Sequence, residues 1–122
     1  MQQAHITSGN FDEPRCLALI APSDYVVAVH GCDDKEGTAY LGGLDVELRD
    51  AIGDRLTAAK FRAGPNPKPF LDGVSPDNIC NKGRRRRGVQ LELSRDLRDE
   101  LKDNAVALTR FAAAVRAALT RL

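Results

Sequence analysis

The sequence predicts a single α/β domain in which helices flank a mixed β-sheet. Two patterns alternate along its 122 residues. Short runs rich in β-branched or alternating apolar residues are typical of strands, and apolar residues repeated every three or four positions are typical of helices. The resulting order is strand, helix, strand, strand, helix, long loop, strand, helix, helix, which indicates helices packed against a sheet. A chain of this length accommodates one ordinary domain, residues 1–122.

The first third of the chain contains a helix between two strands. Residues 4–7 form a short candidate strand, and a helix is expected over about 13–21, with Asp12 as its cap and Pro14 in its first turn. Residues 25–30 are mostly Tyr and Val between turn residues, which predicts a buried strand.

The middle of the chain predicts a strand over 38–41 and then a helix from Asp45. That helix carries an apolar stripe, which should cover the sheet: Leu44, Leu48, Ile52, Leu56 and Ala59. The segment 63–82 is expected to be a surface loop, because its prolines at alternate positions exclude a helix. A loop of that length is typically functional.

The last third alternates cleanly over 88–94, which predicts a strand with Val89, Leu91 and Leu93 on one face. A short helix over 95–102 and a final amphipathic helix follow. The final helix is expected to bury one side: Leu108, Phe111, Val115 and Leu119.

The composition is that of a globular protein without a strong overall charge. Lys and Arg number 18 against 17 Asp and Glu, and the net charge is +1. No global field therefore attracts nucleic acid or a membrane. No apolar run approaches the ~18 residues of a membrane span, and the first residues lack the pattern of a signal peptide. We expect no membrane partner and a cytoplasmic location.

His30 and Glu92 are the strongest candidates for chemistry. His30 ends the strand 25–30, at the edge of an α/β sheet where ligands commonly bind. Glu92 lies in the middle of the strand 88–94, on the face opposite the apolar residues. Each also has an ordinary explanation, since a strand-end histidine often only bonds a nearby carbonyl and a carboxylate on a half-exposed sheet usually faces solvent.

The neighbouring loop adds cations and amides. Arg84, Arg85, Arg86 and Arg87 form the one concentrated charge of the sequence, and we expect this cluster beside Glu92. Guanidinium groups bind carboxylates with defined geometry, so an anionic substrate fits, although a solvated basic loop would look the same. Few aromatic residues accompany the cluster, which makes nucleic acid an unlikely partner. With Asn78 and Asn81, these are the parts of a metallohydrolase.

The three cysteines, Cys16, Cys32 and Cys80, are an odd number without a CxxC pair, which argues against a disulfide framework and a zinc knuckle. Cys32 lacks a recognisable base beside it, so a nucleophilic role is disfavoured.

Five ordered motifs resemble the poly-γ-glutamate hydrolase family of phage-related enzymes, and the resemblance runs from His5 to about Arg98. The motifs are Phe11-Asp-Glu-Pro-Arg15, Val29-His-Gly-Cys32, Gly42-Gly-Leu-Asp45, Asp77-Asn-Ile-Cys-Asn-Lys-Gly83 and Gly88-Val-Gln-Leu-Glu-Leu-Ser94.

The resemblance implies a zinc-carboxypeptidase-like fold and zinc-dependent cleavage of γ-glutamyl bonds in poly-γ-glutamate or another glutamate-rich polymer. It makes His30 a zinc ligand and Glu92 the general base or transition-state stabiliser. The run 84–87 would meet substrate carboxylates together with the loop asparagines, and His5 would lie on the substrate side.

The family's other two zinc ligands come from a His-Gly-Gly motif and a following glutamate, upstream of the matching segment and missing from this sequence. We therefore expect the C-terminal part of a longer family domain, whose activity and zinc binding are in doubt for this chain alone. Glu36 is an alternative metal ligand at a loosely similar spacing from His30. A sheet without its first strand exposes an edge, which favours homo-oligomers.

Two other functions stay open on the sequence. A catalytically silent relative would bind an anionic polymer through residues 84–87, and a nucleic-acid-binding phage-related protein would use the same run.

Overall fold

The computed structural model describes residues 8–68 and 72–120. It confirms the predicted mixed α/β architecture. Strands β1 to β4 span Val27–Gly31, Thr38–Gly42, Arg62–Pro65 and Val89–Leu93. Helices α1 to α4 span Pro14–Ile20, Val46–Ala58, Arg95–Asp103 and Ala105–Leu119. Short 3-10 turns cover Ser8–Asn10 and Ile79–Asn81. The candidate strand 4–7 lies outside the described residues.

The four strands form one sheet in the order β1-β4-β2-β3. β4 runs parallel to β1 and antiparallel to β2, and β3 runs parallel to β2. The last strand in the chain therefore lies between the first two, and the carboxyl ends of β1 and β4 meet at one edge of the sheet.

The main core lies between one face of the sheet and helices α2, α3 and α4. Side chains of α2 and β4 at its centre are fully buried, among them Leu48, Ile52, Leu56, Val89 and Leu91. These are the apolar positions that the helical stripe and the strand alternation predict. Each helix starts with a polar cap, as Asp45 accepts the Leu48 amide and Ser94 accepts the Leu97 amide.

The final helix buries a stripe different from the expected one. Leu108 is 50% exposed, and the buried side of α4 consists of Ala107, Phe111, Ala114 and Ala118. Phe111 meets Phe61 edge to face, with 5.2 Å between the ring centroids. Small alanines allow α4 to pack closely beside Phe111, so the leucines of the helix do not mark its buried side.

The expectation of a continuous loop over 63–82 is wrong at its beginning, where β3 pairs with β2 as an edge strand. Proline is tolerated at such an edge because its missing N–H would face away from the partner strand, and Pro65 ends the strand. At the other edge of the described sheet, β1 leaves Val29 61% exposed. Among the described residues, no helix combines the length and apolarity needed to cross a membrane.

Candidate active site

The sheet brings His30 and Glu92 side by side. Their Cα atoms pair across β1 and β4, and Tyr40 of β2 pairs with Glu92 from the other side. Neighbouring strands lie about 4.8 Å apart, so the three side chains form one row. This row lies on the face opposite α2, α3 and α4, because the alternate residues of β4 point into the core. We call this face, with Ala28, His30, Tyr40, Gln90 and Glu92, the site face.

His30 is half-buried at the wall of a cavity on the site face. Its Nε2 lies 3.2 Å from the Ser8 hydroxyl, and the tautomer of the ring decides which group donates. The cavity has a volume of about 390 Å³. Its other walls come mainly from apolar side chains of α1, β1 and the turns: Phe11, Cys16, Ile20, Val26, Ala28 and Ile79. The imidazole therefore borders a pocket large enough for a small substrate group.

Glu92 is buried on the site face and does not lie at solvent. Only 7% of the residue is exposed, and its Oε1 accepts a hydrogen bond of 3.3 Å from Gln90 Nε2. Loss of water disfavours the charged form, so burial raises the pKa of the Glu92 carboxyl. A carboxylate with a raised pKa is a stronger base once it has lost its proton, which suits proton transfer.

Tyr40 and its partner Asp34 are parts of the site that sequence reasoning missed. The Tyr40 hydroxyl donates to Asp34 Oδ2 over 2.5 Å. Burial, and then this bond, raise the pKa of Tyr40 to about 12, so the hydroxyl stays protonated. Tyr40 belonged to a predicted strand, but only the antiparallel pairing of β2 with β4 places its ring beside Glu92.

Gln90 is a second residue that the sequence analysis did not select, although the alternation of β4 puts it on the same face as Glu92. It stands between Glu92 and Asn78, whose Nδ2 donates to Gln90 Oε1 over 2.9 Å. Asn78 therefore reaches the row through Gln90 and forms part of the wall of the site.

Gly42 lets the 72–82 segment reach the site face. It pairs with Gln90 across the sheet, and a Cβ at this position would lie 2.0 Å from the Asp72 carbonyl oxygen. Because Gly42 has no side chain, the backbone of Asp72 can lie directly on the strand. The segment is thereby fixed over Gln90.

Asn81 holds this segment together and does not face a substrate. Its Nδ2 donates to the carbonyls of Gly73 and Ser75, at 2.7 and 2.9 Å. Its Oδ1 accepts from the amides of Leu44 and Gly88. The residue is 1% exposed and its amide is fully used by backbone groups, so the predicted contact with substrate is corrected to a structural role.

The arginine cluster is not beside Glu92, contrary to the sequence-based expectation. Arg87 lies five positions before Glu92, at most roughly 16 Å along extended chain, and the cluster lies at the amino ends of β1 and β4. Arg84 forms an ion pair with Asp24. The prediction placed the cluster beside Glu92 because the two are close in sequence. An extended strand, however, separates successive residues by about 3.3 Å each.

The other arginines of the cluster differ in exposure. Arg85 is held by Asp45 at 2.8 Å, and its guanidinium lies 4.7 Å from the centre of the Tyr25 ring. Arg86 and Arg87 are exposed. These two therefore present their side chains to solvent.

The described residues do not make a complete zinc site. Within 8–68 and 72–120, no group of three or more His, Cys, Asp or Glu side chains is placed to hold a metal ion. A catalytic zinc normally takes three protein ligands, and His30 is one suitable imidazole. Glu36 is exposed on the loop between β1 and β2, where its backbone amide bonds to Asp34. His5 lies outside the described residues.

The cysteines of the described chain are free thiols without activation. Burial raises the pKa of the Cys32 thiol, and burial raises that of Cys80 to about 12. Both groups are therefore protonated at neutral pH, which does not favour a nucleophilic role.

Comparisons with known proteins find a matching family and several similar proteins. A family model described as poly-gamma-glutamate hydrolase matches residues 1–116. In Bacillus subtilis (strain 168), the SPbeta prophage-derived UPF0714 protein YoqZ is 36% identical over 100 residues, which cover 81% of this chain and 36% of YoqZ. The UPF0714 protein YmaC is 36% identical over 104 residues, covering 84% of this chain and 44% of YmaC. The chain thus spans less than half the length of these curated relatives.

Two solved structures are also similar. A bacteriophage poly-gamma-glutamate hydrolase superposes with a TM-score of 0.87 at 29% identity, covering 96% of this chain and 62% of the phage chain. The zinc-free apo form of YndL superposes with a TM-score of 0.73 at 36% identity, covering 80% of this chain and 48% of that one.

Proposed function

The chain belongs to the poly-γ-glutamate hydrolase family, and from this premise we propose that it supplies one half of a zinc-dependent site that cleaves γ-glutamyl amide bonds. The observation that carries the proposal is the row on the site face. A half-buried imidazole and a buried carboxyl group with a raised pKa stand on adjacent strands. Hydrolysis of an amide needs a group that polarises the carbonyl, which a metal held by a histidine can supply, and a second group that transfers protons.

In this proposal Glu92 is the general base. Its carboxylate accepts a proton from the attacking water and delivers it to the nitrogen of the departing amine. Tyr40 is buried and pairs with Glu92 from the neighbouring strand, and Glu92 itself has little contact with water. A low-dielectric environment of this kind strengthens the interaction of Glu92 with developing charge.

His30 is proposed as the zinc ligand of this chain. The zinc-free form of the similar YndL structure hints at zinc binding in the family, and the resemblance of the sequence motifs makes His30 the candidate ligand in this chain. When bound, zinc would polarise the scissile carbonyl and lower the pKa of water. The described residues hold no group of three or more candidate ligands, so at least one further protein ligand would come from outside them, and Glu36 is the alternative ligand within them.

The proposed substrate is poly-γ-glutamate or a similar glutamate-rich polymer. Arg87 lies five positions before Glu92, at most roughly 16 Å along extended chain, and Arg86 precedes it, so we place both away from the residue being cleaved. A polymer carries carboxylates along its whole length, so cations at the far end of β4 can hold units remote from the scissile bond. The separation of the two regions therefore fits a long polyanion better than a small amide.

The test is hydrolysis by the protein encoded by the full reading frame that carries these residues. We expect Glu92→Gln and His30→Ala to lower the rate by at least roughly a hundredfold, because each removes a group of the reaction itself. The decrease in the size of poly-γ-glutamate, followed by size-exclusion chromatography with zinc present, measures the rate.

Glu100→Gln, which neutralises an exposed carboxyl group on α3, is the matched control and should retain full activity. Full activity of Glu92→Gln or His30→Ala would refute the assignment. Loss of activity in Glu36→Gln would instead restore Glu36 as a metal ligand.

A further inference from the structure

A line of three buried polar side chains runs from the 72–82 segment to the row on the site face. Asn78, Gln90 and Glu92 are each less than a tenth exposed. Asn78 bonds to Gln90 over 2.9 Å, and Gln90 bonds to Glu92 over 3.3 Å. Buried amides are costly unless paired, so such a chain of contacts is a specific feature of the fold.

The direction of these hydrogen bonds is set by a backbone group. The Cys80 amide can only donate, and it donates to Asn78 Oδ1 over 3.0 Å. The nitrogen of the Asn78 side chain must therefore face Gln90, and it requires the oxygen of that amide. As a result the Gln90 nitrogen, and not its oxygen, faces the Glu92 carboxyl group.

We propose that Asn78 and Gln90 form an orienting relay that holds the Glu92 carboxylate in position on the site face. Gln90 is the positioning residue in contact with Glu92. Asn78 determines the orientation of the Gln90 amide, so that its nitrogen faces the Glu92 carboxyl group. The relay gives the 72–82 segment a role in the chemistry, and its catalytic meaning depends on the function proposed above for Glu92.

The relay opposes the effect of burial on Glu92. Burial favours the protonated carboxyl group, whereas an N–H donor favours the ionised one. Among residues 8–68 and 72–120, the titratable groups placed near Glu92 are His30 on β1, Tyr40 with Asp34 on the side of β2, and the neutral thiol of Cys32. The packed turn Ile79–Asn81 contributes uncharged side chains. If Asn78 lost its donor, the Gln90 amide could turn its oxygen toward Glu92 and repel the carboxylate.

The first experiment measures the pKa of Glu92 by carboxyl ¹³C NMR on the purified chain. Gln90→Met removes the donor but keeps the length of the side chain, and we expect it to raise this pKa by roughly half a unit to one unit. Asn78→Ser keeps an acceptor for the Cys80 amide on a side chain too short to donate to Gln90 at the same time, and we expect a smaller increase in the same direction.

The two changes should not add, because Asn78 acts through Gln90. In a chain that already carries Gln90→Met, Asn78→Ser should leave the pKa of Glu92 unchanged. Asn81→Ser is the matched control, since it loosens the same segment through an amide that contacts backbone groups only. An equal shift in the control, or no shift in Gln90→Met, would overturn the relay.

A second measurement needs no variant and covers the case in which Gln90→Met fails to fold. The side-chain NH₂ signals of Gln90 should change with pH at the same midpoint as the Glu92 carboxyl carbon. Signals that do not follow the Glu92 titration would contradict the contact directly.

Kinetics separate the relay from the proposed function. In the protein of the full reading frame, Gln90→Met should lower kcat for poly-γ-glutamate roughly tenfold with little change in KM, and should move the acid limb of the kcat/KM profile upward. If the unaltered protein shows no hydrolysis, the proposed function fails, while the NMR titrations still decide the relay. An acid limb that does not move in an active protein would contradict the positioning role.

Discussion

The Glu92 carboxyl group loses most of its contact with water when the chain folds, since only 7% of the residue stays exposed. Burial raises its pKa above the ordinary value of 4.5. Between that value and the pKa of the folded state, the folded chain binds more protons than the unfolded chain. The free energy of unfolding therefore decreases as the pH rises through this window. The ionised Glu92 carboxylate therefore lowers the stability of the folded chain.

We predict that Glu92→Gln stabilises the chain at neutral pH and has little effect at pH values below 4.5, where the carboxyl group is neutral in both states. Urea unfolding at several pH values measures this difference. The exposed Glu100→Gln should show no comparable dependence on pH. A loss of stability in Glu92→Gln that is the same at every pH would indicate a purely structural glutamate.

His30 and Glu92 could be selected from the sequence because each depends on local information. Apolar runs of strand type and strict alternation place both residues on known faces. Tyr40 and Gln90 could not be recognised in the same way. Their closeness to Glu92 depends on β4 inserting between β1 and β2, which is a pairing between distant segments.

At the scale of the elements, helix α4 shows where the apolar pattern misleads. Leucine at position 108 fits a helical stripe by spacing, yet half of it is exposed, while the neighbouring Ala107 is buried. The helix is rotated so that small residues face its neighbours. The same limitation applies to β3. The prolines of this segment indicated extended backbone, and we therefore predicted a loop where the structure has an edge strand.

The rotation of α4 predicts a sharp contrast between two truncations. Phe111→Ala should destabilise the chain by about 3 to 5 kcal/mol, because it removes the edge-to-face contact with Phe61 and leaves a cavity. Leu108→Ala should cost no more than about 0.5 kcal/mol at its exposed site. Urea unfolding of both variants is the measurement, and similar costs would show that the buried side of α4 is assigned incorrectly.

At the scale of the whole molecule, the exposed arginines and the site row occupy opposite ends of the sheet. The sequence could not reveal this, because residues 84–87 directly precede the strand that carries Glu92. Two of the four arginines are also tied to Asp24 and Asp45. In the proposed function, Arg86 and Arg87 therefore bind parts of the substrate that are remote from the reaction.

This arrangement predicts that the length of the substrate matters. The double variant Arg86→Ala and Arg87→Ala should raise KM for poly-γ-glutamate several-fold, more at low salt, and leave KM for a γ-glutamyl dipeptide unchanged. The exposed pair Arg95→Ala and Arg116→Ala is the control of equal charge. An equal effect on the dipeptide, or an effect from the control pair, would argue against a polymer-binding surface at 84–87.

The central claim is that His30 and Glu92, paired on adjacent strands of the site face, have divided roles, the imidazole for the metal and the carboxylate for proton transfer. Zinc content after dialysis, determined by mass spectrometry on the protein of the full reading frame, tests this division most directly. The account predicts one zinc per polypeptide, lost in His30→Ala and retained in an inactive Glu92→Gln. Zinc retained without His30, or lost on replacing Glu92, would contradict it.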